Sequence, residues 1–345
     1  MKPAHSARLL LPLALLGSLV AGCGGDDGSD PVAQADSGES VLTLYSGREP
    51  ELIDPAIEDY EKQSGVEVEI RSGDSAPLAA TLLEEGDASP ADVFLAQDAG
   101  SLGAVEAEGL LAPLPPEILE EVPARFRSDG GGWVGITGRA RVIAYGPDVD
   151  EADVPDSPLD LVDPEWEGRV GWAPSNASLQ AYVTALRTIE GEDVAREWLE
   201  GMVANGAQAY ESNTPVRDAI AAGEVDLGLI NHYYVAQAIA EEGADYPVAV
   251  KFPPDDLGSL INVAGAGVIA SSDDPGGAQD LIEFLLAEDA QTYFADSSKE
   301  YPLAAGVEPD EALVPLDQIP APDVDLGDTT DLEGTLELMR ETGAL

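Results

Sequence analysis

The chain alternates between short apolar runs and amphipathic stretches with a regularity that predicts its elements. Residues 41–45 alternate as a strand, and 50–63 are amphipathic, stopped by Gly65 as by a helix C-cap. Residues 66–70 alternate again, 77–85 read as a helix ended by Gly86, and 91–96 form an apolar strand. A helix follows over about 98–108. This strand–helix rhythm predicts a parallel, doubly wound sheet. Residues 133–145 break it as a long extended run containing Gly135 and Gly138, which suits a crossover between two lobes. A second set follows: a strand at 170–173, helices over 179–190 and through Trp198, and an apolar strand at 225–230. The Gly-interrupted run 262–270 reads as a return crossing. Helices are predicted at 278–286, 290–294 and 332–340, with an acidic, Pro-containing loop at 321–328. Two lobes crossed more than once imply a hinge with a cleft between them.

The first 22 residues carry Lys2 and Arg8, no acid, and an apolar run over 9–20. That is an export signal, too short for a good membrane span. It ends Leu19-Val20-Ala21-Gly22-Cys23, which resembles the bacterial lipobox and implies lipidation at Cys23. Cys23 is the only cysteine, so intramolecular disulfides, Cys-based metal clusters and thiol nucleophiles elsewhere are excluded. Residues 23–40 are rich in Gly, Asp and Ser without apolar period, and read as a flexible tether. About 300 residues remain, enough for two lobes with separate cores.

Sixty-seven acidic residues face 16 basic ones, a formal net charge of −51. Such a field repels nucleic acid. The acids are scattered over loops and helix faces without EF-hand spacing, so they read as a solvated surface adapted to salt rather than as a cation site. His232 is the only histidine outside the signal, which leaves no Ser–His–Asp triad and no multi-His metal site. Gly130, Gly131 and Gly132 precede a strand and lack a P-loop's lysine and hydroxyl; they read as a turn.

The informative chemistry lies at Tyr233-Tyr234, between the 225–230 strand and a helix predicted over 236–242. Open α/β sheets present ligand groups at such junctions. A phenol titrates near pH 10 and is a poor ligand for most metals at neutral pH. A trivalent, oxygen-seeking cation such as Fe³⁺ displaces that proton and takes a hard phenolate. Two rings that simply pack are the ordinary alternative.

Six segments, taken together, resemble the ferric-iron-binding solute receptors of bacterial ABC importers. They are Leu44-Tyr-Ser-Gly-Arg-Glu49, Glu84-Glu-Gly-Asp-Ala-Ser-Pro-Ala-Asp-Val-Phe94, Thr137-Gly-Arg-Ala-Arg-Val142, Gly168-Arg-Val-Gly-Trp-Ala-Pro174, Asn231-His-Tyr-Tyr234 and Glu300-Tyr-Pro-Leu303. The resemblance implies an α/β, two-lobed periplasmic binding protein type II fold. Each lobe would be a doubly wound, mostly parallel sheet, joined to the other by crossover strands. The lobes are expected at 41–139 plus 262–310 and at 140–261 plus 311–345. The implied role is capture of Fe³⁺ between the lobes and delivery to a permease and its ATPase, without enzymatic activity. By position, Tyr233 and Tyr234 fall on the paired tyrosine ligands. Glu49 falls where several members have histidine, and Gln97 where some have glutamate. Asp98, next along, is expected to substitute in part for Gln97. Ser175, Asn176, Ala177 and Ser178 match a loop that binds a synergistic anion such as phosphate or carbonate. They sit at a predicted helix N-terminus, a favourable place for an anion on physical grounds alone. Asn213 and Asn231 match further anion contacts, although Asn213 equally suits an N-cap. Arg139 or Arg141 adds charge or forms a hinge ion pair. The implied protein is a monomer held to the outer face of the cell membrane by its lipid. A receptor of the same fold for an organic anion, a phosphonate or carboxylate, is the alternative.

Overall fold

The computed structural model describes residues 41–254, 257–322, 324, 326 and 329–345. The signal, Cys23 and the tether lie outside the described residues, as do Asp323, Asp325, Gly327 and Asp328 of the acidic loop.

β1 (Val41–Ser46) leads into α1 (Pro50–Ser64), which has proline in its first turn and ends at Gly65. Gly65 has φ 74° and returns its amide to the Glu61 carbonyl, a conformation that glycine adopts without Cβ strain. β2 (Glu67–Ser72), α2 (Ser75–Glu85), β3 (Val93–Ala96) and α3 (Ala99–Ala107) complete the first parallel unit. β1 pairs in parallel with both β2 and β3. A short α4 (Pro116–Glu120) precedes the long β4 (Val134–Tyr145).

The second unit contains β5 (Val170–Trp172), α5 (Ala177–Ile189), α6 (Glu192–Ala204), β6 (Gln208–Ala209), α7 (Asn213–Ala221), β7 (Leu227–Asn231), α8 (Tyr233–Glu242) and β8 (Ala249–Lys251). The chain returns through β9 (Ile261–Val268), then α9 (Pro275–Leu286), α10 (Glu288–Tyr293), β10 (Tyr301–Pro302) and α11 (Leu332–Glu341). α11 packs on α5, where Thr184 and Thr335 share a 2.8 Å hydrogen bond.

The strand order is β2-β1-β3-β9-β4-β7-β5-β6, with β8 and β10 also paired to β4. Residues 134–140 of β4 run antiparallel to β9, and residues 141–145 run antiparallel to β7. One strand therefore serves both halves and changes partners between Ala140 and Arg141. The halves are parallel within, and the crossovers supply the antiparallel pairs.

The glycine turn has a plain cause. Gly132 donates its amide to Glu106 at 2.8 Å, and a Cβ on Gly130 or Gly132 would come within 2.6 or 2.7 Å of that carboxylate. The glycines make room for an internal acid.

The acidic surface predicts salt-dependent stability. Carboxylates this numerous repel one another across the folded surface in dilute buffer. The screening length falls from about 30 Å at 0.01 M to about 3 Å at 1 M ionic strength. The melting temperature should rise by more than about 5 °C when NaCl is raised over that range. A flat profile would refute the salt-adapted reading.

Candidate metal centre

β7 is buried along its whole length and ends at Asn231. His232 already has helical backbone angles, so α8 begins at Tyr233, three residues earlier than the sequence pattern indicates. The tyrosine pair thus occupies the first helical turn. The His232 amide donates to the Ala140 carbonyl at 3.0 Å, and the Ala140 amide donates to His232 Nδ1 at 3.2 Å. With Nδ1 accepting, Nε2 carries the proton and donates to the Lys299 carbonyl at 3.0 Å. Burial pushes the imidazole down to about 4, so His232 is a neutral cross-link at the point where β4 changes halves.

Tyr233 is 3 % exposed; Tyr234 is half-buried. Their ring centroids are 4.2 Å apart, tilted by 31°. Burial raises the Tyr233 phenol well above its ordinary range. The neighbouring Tyr234 and Glu300 push it the same way, and Arg139 and Arg48 oppose. Tyr233 is therefore a phenol, and a cation that binds it must displace its proton. Arg217 on α7 donates to the Tyr234 carbonyl at 3.1 Å, fixing the first turn of α8 from the side.

Arginines crowd this site. Arg48 makes a bidentate contact with Glu300 at 3.0 and 2.5 Å, both groups buried. Burial pushes the Glu300 carboxyl up, but the charge and hydrogen bonds of Arg48, with Arg139 behind, outweigh this and hold it below the ordinary range. Arg139 is 1 % exposed and 3.8 Å from Glu300, and its three guanidinium nitrogens have no hydrogen-bond partner. Arg141 reaches the Leu229 carbonyl at 3.5 Å; burial, then Arg139, lowers it to about 10. Arg48, Arg139 and Arg141 against two buried carboxylates, Glu300 and Asp98, still leave surplus positive charge beside the tyrosines, a setting that favours anionic ligands.

The residues expected from the first half are arranged less uniformly. Glu49 is exposed at the start of α1, and its side chain does not cap that helix. It lines a cleft of about 330 Å³ together with Gln97, Arg48 and Asp74. Gln97 is half-buried, and its backbone N–H donates to Ser75 Oγ at 2.8 Å. Asp98 requires a correction. Its carboxylate accepts from the Ser101 amide at 2.7 Å and the Ser101 hydroxyl at 3.0 Å, as the N-cap of α3. Both oxygens are engaged in the cap and the side chain is 5 % exposed, so Asp98 does not replace Gln97 as an outward donor.

The 175–178 loop does open a helix, since α5 starts at Ala177. Asn176 is its N-cap, accepting from the Ser178 amide at 3.0 Å, so that amide is not free. Asn213 donates to the same Asn176 oxygen at 3.1 Å, and Asn231 donates to Ser178 Oγ at 3.2 Å. Ser175 reaches the Glu211 carbonyl at 3.4 Å. Asn213 is not an N-cap: Ser212 holds that position, and Asn213 is the first residue of α7 with a buried, unpartnered Oδ1. The loop is joined to the tyrosine strand through Asn231.

Sequence reasoning missed Arg48, Glu300 and Arg217. Arginine is scarce here, and one at the apolar β1–α1 junction is a signal in itself. Its partner, 252 residues away, opens the Glu300-Tyr-Pro-Leu303 segment of the resemblance, but nothing in the sequence pairs the two. Among the described residues, no three His, Cys, Asp or Glu side chains form a metal-holding group, so a metal would depend on the tyrosines.

Two parallel units joined by long antiparallel crossovers, with ligand-type groups at strand ends in each, define a two-lobed solute receptor of the periplasmic binding protein type II fold. The chain belongs to the bacterial extracellular solute-binding protein family, whose model matches residues 88–325. It is 35% identical over 317 residues to the Fe(3+)-binding periplasmic protein of Serratia marcescens, covering 91% of this chain and 93% of that one. Iron-bound HitA from Pseudomonas aeruginosa superposes with a TM-score of 0.84 at 35% identity, over 88% of this chain and 99% of that one. A Trichodesmium protein in complex with iron and citrate superposes with a TM-score of 0.74 at 29% identity, over 88% and 99% of the two chains.

Proposed function

We propose that this protein is an exported receptor, not an enzyme, that captures ferric iron between its lobes and delivers it to an ABC permease and its ATPase. The carrying observation is the tyrosine pair in the first turn of α8, set against surplus buried arginine charge. Tyr233 and Tyr234 bind the metal as phenolates, and Glu49 supplies a carboxylate from the other lobe. Gln97 is a weaker neutral donor, and Asp98 is left to its cap. A synergistic anion, phosphate or carbonate, completes the sphere. It rests on the 175–178 loop with Asn213, Asn231 and the unpartnered Arg139, and Arg141 adds charge. The lobes are assigned to 41–139 plus 262–310 and 140–261 plus 311–345. The mature chain is a monomer, anchored through lipidated Cys23 to the outer face of the cell membrane.

Ferric citrate added to the purified protein tests this reading. A visible tyrosinate-to-iron band is expected; its absence at any pH rejects it. The orphaned Arg139 and the neutral Gln97 favour a second reading, a receptor for an organic anion. That receptor would stay colourless while a carboxylate or phosphonate raised its melting temperature.

Glu49 and Gln97 differ in charge, and a hard cation gains more from the charged oxygen. Glu49→Ala should therefore weaken iron binding more than Gln97→Ala, by about tenfold or more in a chelator competition. The reverse order would take Glu49 out of the ligand set.

A further inference from the structure

The segment between α10 and β10 is conformationally unusual. Residues 294–298 form one π-helical turn, and Lys299, which ends it, has φ 58°, the one non-glycine residue at positive φ among the described residues. π-turns and left-handed non-glycine residues persist where surrounding contacts over-determine them, and they recur at functional sites.

The contacts here come from both halves of the molecule. Glu300, fully buried, receives the bidentate guanidinium of Arg48, the residue immediately before Glu49. The Lys299 carbonyl receives Nε2–H of His232, the residue immediately before Tyr233. Gln237, on α8, donates to the Ser298 carbonyl at 2.8 Å. The Tyr301 ring stacks on His232 at 4.6 Å and 25°, and its backbone pairs with Gly138 of β4. Adjacent residues of one turn therefore hold the immediate chain neighbours of the donors from the two halves.

We propose that Lys299 and Glu300 are positioning residues, a clamp that sets the distance between Glu49 and the tyrosine pair. The proposal rests on the iron reading above. A buried ion pair is weak evidence of stabilisation, because well-packed apolar side chains of similar size often replace one without loss. Metal coordination, by contrast, depends on donor placement, and groups that orient ligands typically contribute 10–100-fold in affinity. Only the Lys299 carbonyl is needed at its position, held outward by the left-handed backbone.

The test uses the full-length protein and two variants, with ferric iron supplied from a competing chelator. Arg48→Met combined with Glu300→Leu removes the ion pair and keeps apolar volume. It also takes from buried Arg139 the carboxylate 3.8 Å away, so it should melt lower than the wild type yet still fold, bind iron at least tenfold more weakly, and shift the visible band. Glu300→Asp keeps the charge but withdraws it by one methylene, and should bind iron with intermediate affinity at an unchanged melting temperature. Wild-type affinity and an unshifted band in the double variant would overturn the clamp. So would an affinity loss matched by loss of fold in the metal-free protein. Should the double variant fail to fold, Glu300→Asp decides: weaker iron with the fold kept supports the clamp, and unchanged affinity overturns it. A wild-type protein without the band rejects the iron reading itself, which separates that failure from failure of the clamp.

Discussion

Tyr234→Phe removes the visible band and lowers ferric iron affinity by more than about 100-fold, beyond the 10–100-fold typical of residues that only support a ligand. The substitution deletes one oxygen and leaves the ring. The ring stays against Tyr233, 4.2 Å between centroids, so packing in the first turn of α8 is kept. What is lost is one anionic donor in a site where surplus arginine charge favours anions. The Tyr234 backbone, held by Arg217, is unaffected. The melting temperature of the metal-free protein should therefore stay within a few degrees while iron binding collapses. Tyr233→Phe should do the same to the metal. Isothermal titration with ferric citrate, beside visible spectra, gives both readings. Wild-type affinity in either variant would remove the pair from the ligand set.

Much of this architecture is legible in the sequence where patterns are long. β1, α1, β4, β9 and the helix stop at Gly65 follow from periodicity and capping, because burial on one face leaves a repeating trace. β6, β8 and β10 are two or three residues long, too short to carry a period. The start of α8 is misplaced for another reason. His232 is drawn into helical angles by its bonds to Ala140 and Lys299, which are tertiary contacts. Asp98 carries a second signal: Asp followed three residues later by Ser101 is a capping pattern. The tyrosine pair is legible because two phenols at a strand-to-helix junction are chemically pointed. The Arg48–Glu300 pair is not, because only folding brings these residues together.

Acid releases the metal, and the slope of that release identifies the donors. In the proposed site iron binds phenolates, so each tyrosine would lose a proton on loading. Below the phenol range the metal-free protein holds those protons and the loaded protein does not. Affinity must then rise with pH and fall in acid, by about tenfold per proton per pH unit, or about 100-fold per unit for two tyrosines. Burial of Tyr233 raises its phenol further, which widens the pH range over which this slope holds. The fold sets the lower limit. His232 is held at about 4 by burial, below its usual 6.5. Between those values the unfolded chain binds a proton that the folded chain refuses, so stability declines as pH falls through the window, by on the order of 3 kcal/mol in all. Between about pH 5.5 and 7.5 most of that stability is still present. There, chelator competition, corrected for protonation of both the chelator and the synergistic anion, should give a slope near two while far-UV circular dichroism stays constant. An organic-anion receptor relies on arginines and backbone amides that do not titrate in this range, and its affinity would follow only its ligand's own ionisation. A measured slope below one, with the fold intact, would rule out a paired tyrosinate site.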